Sequence, residues 1–127
     1  MAIEQPKPVK ALHWIGSSKK DLKAFPDDVQ DACGHELWSV QLGEMPRSAK
    51  VMRGFGGADV VELVENYDGD TYRVVYTIRF RKAVYVLHAF EKKSKHGTKT
   101  AQNDIGVVKS RLRTATEDYA RRYSDER

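Results

Sequence analysis

The sequence predicts an α+β domain: a small antiparallel twisted sheet with two N-terminal helices and one C-terminal helix packed on it. Three observations predict it. Residues 71–90 hold two strand patterns in succession, separated by the basic pair Arg81-Lys82. Residues 26–42 and 100–119 carry apolar side chains at helical spacing. Helical and strand patterns are segregated along the chain, which favours one sheet with helices laid on it over a βαβ series.

The elements follow in order. Pro6 and Pro8 make residues 1–8 a loose arm. Val9 to Ile15 is short, mostly apolar and bounded by Gly16-Ser17-Ser18, so it reads as a strand. Ser18 and Asp21 have capping-box spacing, which starts a short helix with Leu22 and Phe25 inward. Pro26 suits the first turn of a second helix, and Asp27 and Asp28 complement its dipole. Val29, Cys33, Leu37 and Val40 form its apolar stripe, and Gly43 and Pro46 end it. Lys50 to Phe55 is a short strand followed by a glycine-rich connection, and Ala58 to Asn66 is the next strand. Asp68-Gly69 predicts a tight hairpin, because both residues tolerate positive φ. In Thr71 to Phe80, Tyr72, Val74, Tyr76, Ile78 and Phe80 fall on one face, and Thr71, Arg73, Val75, Thr77 and Arg79 on the other. Ala83 to Phe90 is nearly all apolar, as an interior strand is. The last helix spans about 100–119 with the stripe Ile105, Val108, Leu112, Ala115 and Tyr119, so the single domain covers 9–120 and a charged tail covers 121–127.

Composition bounds the function. The chain has 127 residues, 40% hydrophobic and 31% charged, enough for one core and typical of a globular chain. No apolar run approaches a membrane span, and the first ten residues lack a signal-peptide core, so a cytoplasmic protein with no membrane partner is expected. One cysteine, Cys33, excludes an internal disulfide, and its place on a helix stripe makes it a packing residue. His13, His35, His88 and His96 lack paired metal spacing, and no phosphate-loop or dinucleotide glycine pattern is present. Neither metal nor cofactor is expected.

The net charge of +4 is unevenly spread. Residues 1–70 carry 8 Lys/Arg against 12 Asp/Glu, whereas residues 71–127 carry 14 against 6. Lys92, Lys93, Lys95, His96 and Lys99 crowd the stretch after the last strand. Clustered like charges repel, so they favour an anionic partner, with nucleic acid first; a solvated basic loop is the alternative. Arg73 lies near the start of a half-buried strand and offers a bidentate fork for phosphate; an ion pair with Glu62 or Glu65 is the alternative. Cations of this kind stabilise a pentacoordinate phosphorane. RNA brings its own 2′-OH nucleophile, so the site would need only a base, an acid and cationic clamps, without metal; His96 or a lysine of lowered pKa are the candidates for proton transfer.

Thr71-Tyr-Arg-Val-Val-Tyr-Thr-Ile78, Val84-Tyr-Val-Leu-His-Ala-Phe-Glu-Lys-Lys-Ser-Lys95 and Thr98 to Ile105 resemble the RelE/ParE toxin superfamily, and within it the phage-derived Gp49-like (HigB-like) branch. The resemblance covers about residues 9–119, and the run His88–Phe90–Lys92–Lys93 is its most specific part. It implies a type II toxin that cuts mRNA on the ribosome through 2′-OH attack, held by an adjacent helix-turn-helix antitoxin lying across the basic edge. It implies catalytic roles for Arg73, Lys92, Lys93, Lys95 and His96. The strand at Val61 to Val64 is acidic and apolar where many relatives carry a basic residue around Val64, and Lys50 or Arg53 can supply that charge from the neighbouring segment. Arg79 and Lys99 complete the expected RNA-binding set. Two other activities fit such a chain: gyrase inhibition, as in the ParE branch, and a non-catalytic interaction module of phage origin.

Overall fold

Period-two alternation over residues 60–92 builds the middle of a five-stranded sheet. In the computed structural model, which describes residues 8–57, 59–92 and 100–124, the strands are β1 (Ala11–Trp14), β2 (Ala49–Val51), β3 (Val60–Tyr67), β4 (Asp70–Thr77) and β5 (Ala83–Lys92). The helices are α1 (Ser18–Lys23), α2 (Asp27–Gln41) and α3 (Gln102–Arg122). The sheet order is β1-β5-β4-β3-β2. Residues 1–7 of the N-terminal arm, Lys93, Lys95, His96, Lys99 and residues 125–127 of the tail lie outside the described residues, and no helix among the described residues is long and apolar enough to cross a membrane.

Four strands alternate in direction because short turns join them, but β1 pairs parallel with β5. The helices after β1 carry the chain to the far edge of the sheet before it returns by hairpins, so the expected antiparallel sheet is mixed at its β1 edge. The Asp68-Gly69 hairpin forms as expected: both residues have positive φ (51° and 86°), and Tyr67 pairs with Asp70 across a two-residue loop.

The sheet is covered on both faces. Val29, Cys33, Leu37 and Val40 of α2, with Leu22 and Phe25, pack on Val61, Leu63, Tyr72, Val74, Tyr76, Val84 and Val86. Val108, Leu112 and Ala115 of α3 pack on Val60, Val75, Tyr85 and Leu87, with Ile105 and Tyr119 alongside. Both helical stripes read from the sequence are therefore the buried ones. Phe80 departs from its expected face: β4 ends at Thr77, and Phe80 joins the α3 side, stacked 4.5 Å from Tyr119. The capping box also departs. Ser18 is buried and donates its hydroxyl to the Val86 carbonyl, while Ser17 Oγ donates to Asp21. α3 continues to Arg122, three residues past its expected end.

One irregularity positions the site. Val75 pairs with His88 but Tyr76 pairs with Val86, so Leu87 is an extra residue, a β-bulge in β5. The bulge turns Leu87 and His88 toward the same α3 side and shifts the alternation beyond it, so that His88 and Phe90 stack at 4.6 Å on that face. The bulge is held from outside: Arg111 Nη1 donates to the Leu87 carbonyl at 3.0 Å and Arg111 Nη2 to Ser17 Oγ at 3.1 Å.

Candidate nucleic-acid interface

A cleft of about 540 Å³ opens on the α3 face where β2, β3 and β4 meet the start of α3. Register explains its make-up. Lys50 pairs with Glu62 and Val64 pairs with Arg73, so the alternation puts Lys50, Glu62 and Arg73 on one face. Arg53 follows from the turn after β2, and Thr100, Gln102 and Ile105 close the cleft from the α3 side. Three of the expected residues, Lys50, Arg53 and Arg73, thus line one cavity.

Their states differ. Lys50 and Arg53 are exposed. Arg73 is buried, and its Nη1 donates to Glu62 Oε1 at 2.7 Å. Thr100 Oγ1 donates to Glu62 Oε2 at 2.7 Å and lies 3.4 Å from Arg73 Nη1. The alternative weighed for Arg73 is therefore present: it forms an ion pair with Glu62, not with Glu65. A buried guanidinium needs such a carboxylate, because an unpaired charge there would cost several kcal/mol of lost hydration. Arg73 reaches the cleft with much of its charge balanced, and the cations facing solvent are its neighbours.

Lys92 ends β5 opposite Thr71 and two residues beyond Phe90, which puts it on the face of Arg73. It is half-buried. Lys93, Lys95, His96 and Lys99 follow it outside the described residues. Arg79 is elsewhere. Six residues past Arg73 along the chain, it binds Asp59 by two bonds of 3.0 Å and donates to the Phe55 carbonyl at 3.0 Å. It braces the glycine-rich connection and does not line the cleft.

Sequence reasoning missed two members of this region and left a third undecided. Glu62 was named beside Glu65 as an ion-pair partner for Arg73, and the register decides for Glu62. Thr100 has no signal of its own. His88 was quoted only as part of a motif; the bulge turns it toward α3, where its Nε2 meets Asp104 Oδ1 at 2.7 Å, while its buried Nδ1 has no hydrogen-bond partner among the described residues. No group of three or more metal-ligating side chains occurs among the described residues.

Fold and cleft together define a small α+β domain with a basic groove set over a buried Arg–Glu pair. The family model described as "Phage derived protein Gp49-like (DUF891)" matches residues 20–113, and the chain belongs to that family. No curated protein gives a significant match. Among solved structures, the toxin–antitoxin complex RelBE2 from Mycobacterium tuberculosis contains a similar chain, at 18% identity and a TM-score of 0.48, covering 66% of this chain and 99% of that one.

Proposed function

We propose that the protein is the toxin of a type II toxin–antitoxin pair, of RelE-like type, and that it cleaves mRNA on the ribosome without metal. The observation that carries the reading is the convergence of Lys50, Arg53 and Arg73 in one cleft, on the sheet face that also bears Lys92. The sequence that follows Lys92, residues 93–99, is lysine-rich.

The chemistry follows from charge. In-line attack of a 2′-OH on the adjacent phosphodiester builds negative charge on the equatorial phosphoryl oxygens. Exposed ammonium and guanidinium groups at the mouth of the cleft, Lys50 and Arg53, stabilise that charge more than the ground-state monoanion. Arg73 sets the floor: locked between Glu62 and Thr100, it presents a fixed dipole and positive edge that need no reorganisation on reaction. Lys92 at the end of β5, with Lys93, Lys95 and His96 of the sequence that follows it, supplies further cationic and proton-transfer groups. The antitoxin partner is a helix-turn-helix protein that covers this basic edge.

The test is a translation extract programmed with one message and read by primer extension. Wild-type protein is expected to produce discrete cuts with 2′,3′-cyclic phosphate ends. Lys50→Ala and Arg53→Ala are each expected to lower the cleavage rate about 10²-fold. Arg73→Lys separates charge from fork geometry and is expected to lower the rate while the circular dichroism spectrum stays unchanged. Absence of cleavage by the wild type, or unaltered rates in all three variants, overturns the reading.

A further inference from the structure

α3 runs along the sheet with the cleft at its first turn, and a second opening of about 590 Å³ lies at its other end. This opening is bounded by Pro8, Val9 and Lys10 before β1, by Arg81 and Lys82 before β5, and by Tyr123 after α3. Ala83 and Phe90 are seven residues apart on β5, so the two openings are separated by roughly 20 Å.

Three features make this opening more than a surface dent. Among the described residues, three of those lining it are cationic and none is acidic; one of the three, Lys10, places its Nζ 3.5 Å from the Phe80 carbonyl. The nearby carboxylate Asp118 is already committed: it accepts from Tyr85 at 2.6 Å, Arg121 at 2.7 Å and Arg122 at 3.0 Å. Those bonds hold its carboxyl below the usual range, so it stays a partner of its own neighbours. Second, Tyr123 is the outer rung of a rigid aromatic stack. Its ring lies 4.6 Å from Tyr119, which lies 4.5 Å from Phe80, and its hydroxyl is 2.8 Å from His13 Nε2. A ring fixed in this way loses little entropy when a second flat ring stacks on it. Third, Val9 is half exposed and adds an apolar surface to the lining.

A flat aromatic platform, an apolar residue and a cationic rim match one ligand chemistry: a single-stranded nucleic acid whose base stacks while its phosphates meet the rim. We propose that Tyr123, Lys10 and Lys82 form a second binding site for single-stranded nucleic acid, distinct from the cleft at Arg73. A duplex, with its bases already stacked on each other, has no free face to offer it.

Fluorescence anisotropy with a labelled 2′-O-methyl uridine 12-mer tests this. That probe lacks the 2′-OH nucleophile, so the readout is independent of whether the protein cleaves RNA. The wild type is expected to bind it, and oligo-dT of the same length, at 50 mM salt. The Lys10→Glu/Lys82→Glu variant is expected to bind at least tenfold more weakly, with the log–log salt dependence shallower by about 1.4, the value for two lost phosphate contacts on a single strand. Tyr123→Phe is expected to keep the affinity, because it keeps the ring, and Tyr123→Ala to lose about tenfold. Thermal melting of each variant separates lost binding from lost folding. Affinity within twofold of wild type in the double lysine variant overturns the assignment. So does no binding by the wild type, equal affinity for a duplex, or displacement of the probe by polyglutamate at equal charge.

Discussion

The Arg73 guanidinium and the Glu62 carboxylate lie 2.7 Å apart, each side chain about 93% buried, at the floor of the basic cleft. Burying both charges is costly, and their attraction offsets the cost only while both are present. Arg73→Met alone and Glu62→Leu alone should each lower unfolding stability by about 3 kcal/mol or more, because each strands the other charge. The double variant should recover most of that loss, since two apolar residues pack where the pair sat. Urea unfolding of the four proteins measures the coupling; additive losses would show the pair to be energetically independent.

A second clamp acts through a glycine. Gly16 has φ of +57°, and a Cβ built there would stand 2.8 Å from Arg111 Nε. Gly16→Ala should therefore cost about 1 kcal/mol of backbone strain and more from the displaced guanidinium. That guanidinium holds the Leu87 carbonyl of the bulge. With Arg111→Ala already in place, the same glycine change should cost only the strain. Equal costs in both backgrounds would mean that the close approach has no energetic consequence.

How much of this was legible depends on which interactions are local. The stripe Val29–Cys33–Leu37–Val40 and the Asp68-Gly69 turn rest on periodicity and backbone preference, and both could be read from neighbours in sequence. The parallel pairing of β1 with β5 joins residues about 70 positions apart, and no local pattern announces it. The bulge at Leu87 was equally silent, because Val84-Tyr-Val-Leu-His carries no glycine and every residue fits a plain strand. The cleft was half legible. Lys50, Arg53 and Arg73 were named for their charge, but the part played by Glu62 needed the register that sets β3 against β4. Arg79 was chosen for the same charge, and Asp59 holds it elsewhere.

On the opposite face, Glu36 of α2 is pushed up to about 8, first by burial and then by the hydrogen bond and charge of Glu65. A carboxyl raised in the folded state binds its proton more tightly there than in the unfolded chain, whose value is near 4.5. The folded state then loses stability as pH rises above that unfolded value, and the loss is complete above about 8. His13, held below its ordinary 6.5, adds stability only as pH rises to about that value, and the Cys33 thiol, pushed up to about 12 from 9.0, weakens the fold only as pH nears 9. The urea midpoint should fall between pH 7 and pH 8. Glu36→Gln, which cannot ionise and keeps the shape, should flatten that slope; an unchanged slope would assign the pH dependence to other groups.

The start of α3 depends on the same bulge that turns His88. His88 Nε2 meets Asp104 Oδ1 at 2.7 Å, with the histidine side chain only 11% exposed. The α3 N-cap, Ala101, makes no side-chain capping bond, so this contact ties down a first turn that lacks one. Asp104→Ala should cost about 1–2 kcal/mol by removing a partly buried hydrogen bond and the acidic group near the helix N-terminus. The loss should appear as faster amide exchange over residues 102–108, with little change at Leu112 and Ala115, which pack on the sheet through α3's apolar stripe. Because Thr100, Gln102 and Ile105 line the cleft, ligand binding there should weaken along with the exchange protection, while the Tyr123 end of α3 keeps its affinity. Protection in Asp104→Ala equal to wild type would show that packing of Ile105 and Val108 alone fixes the helix start.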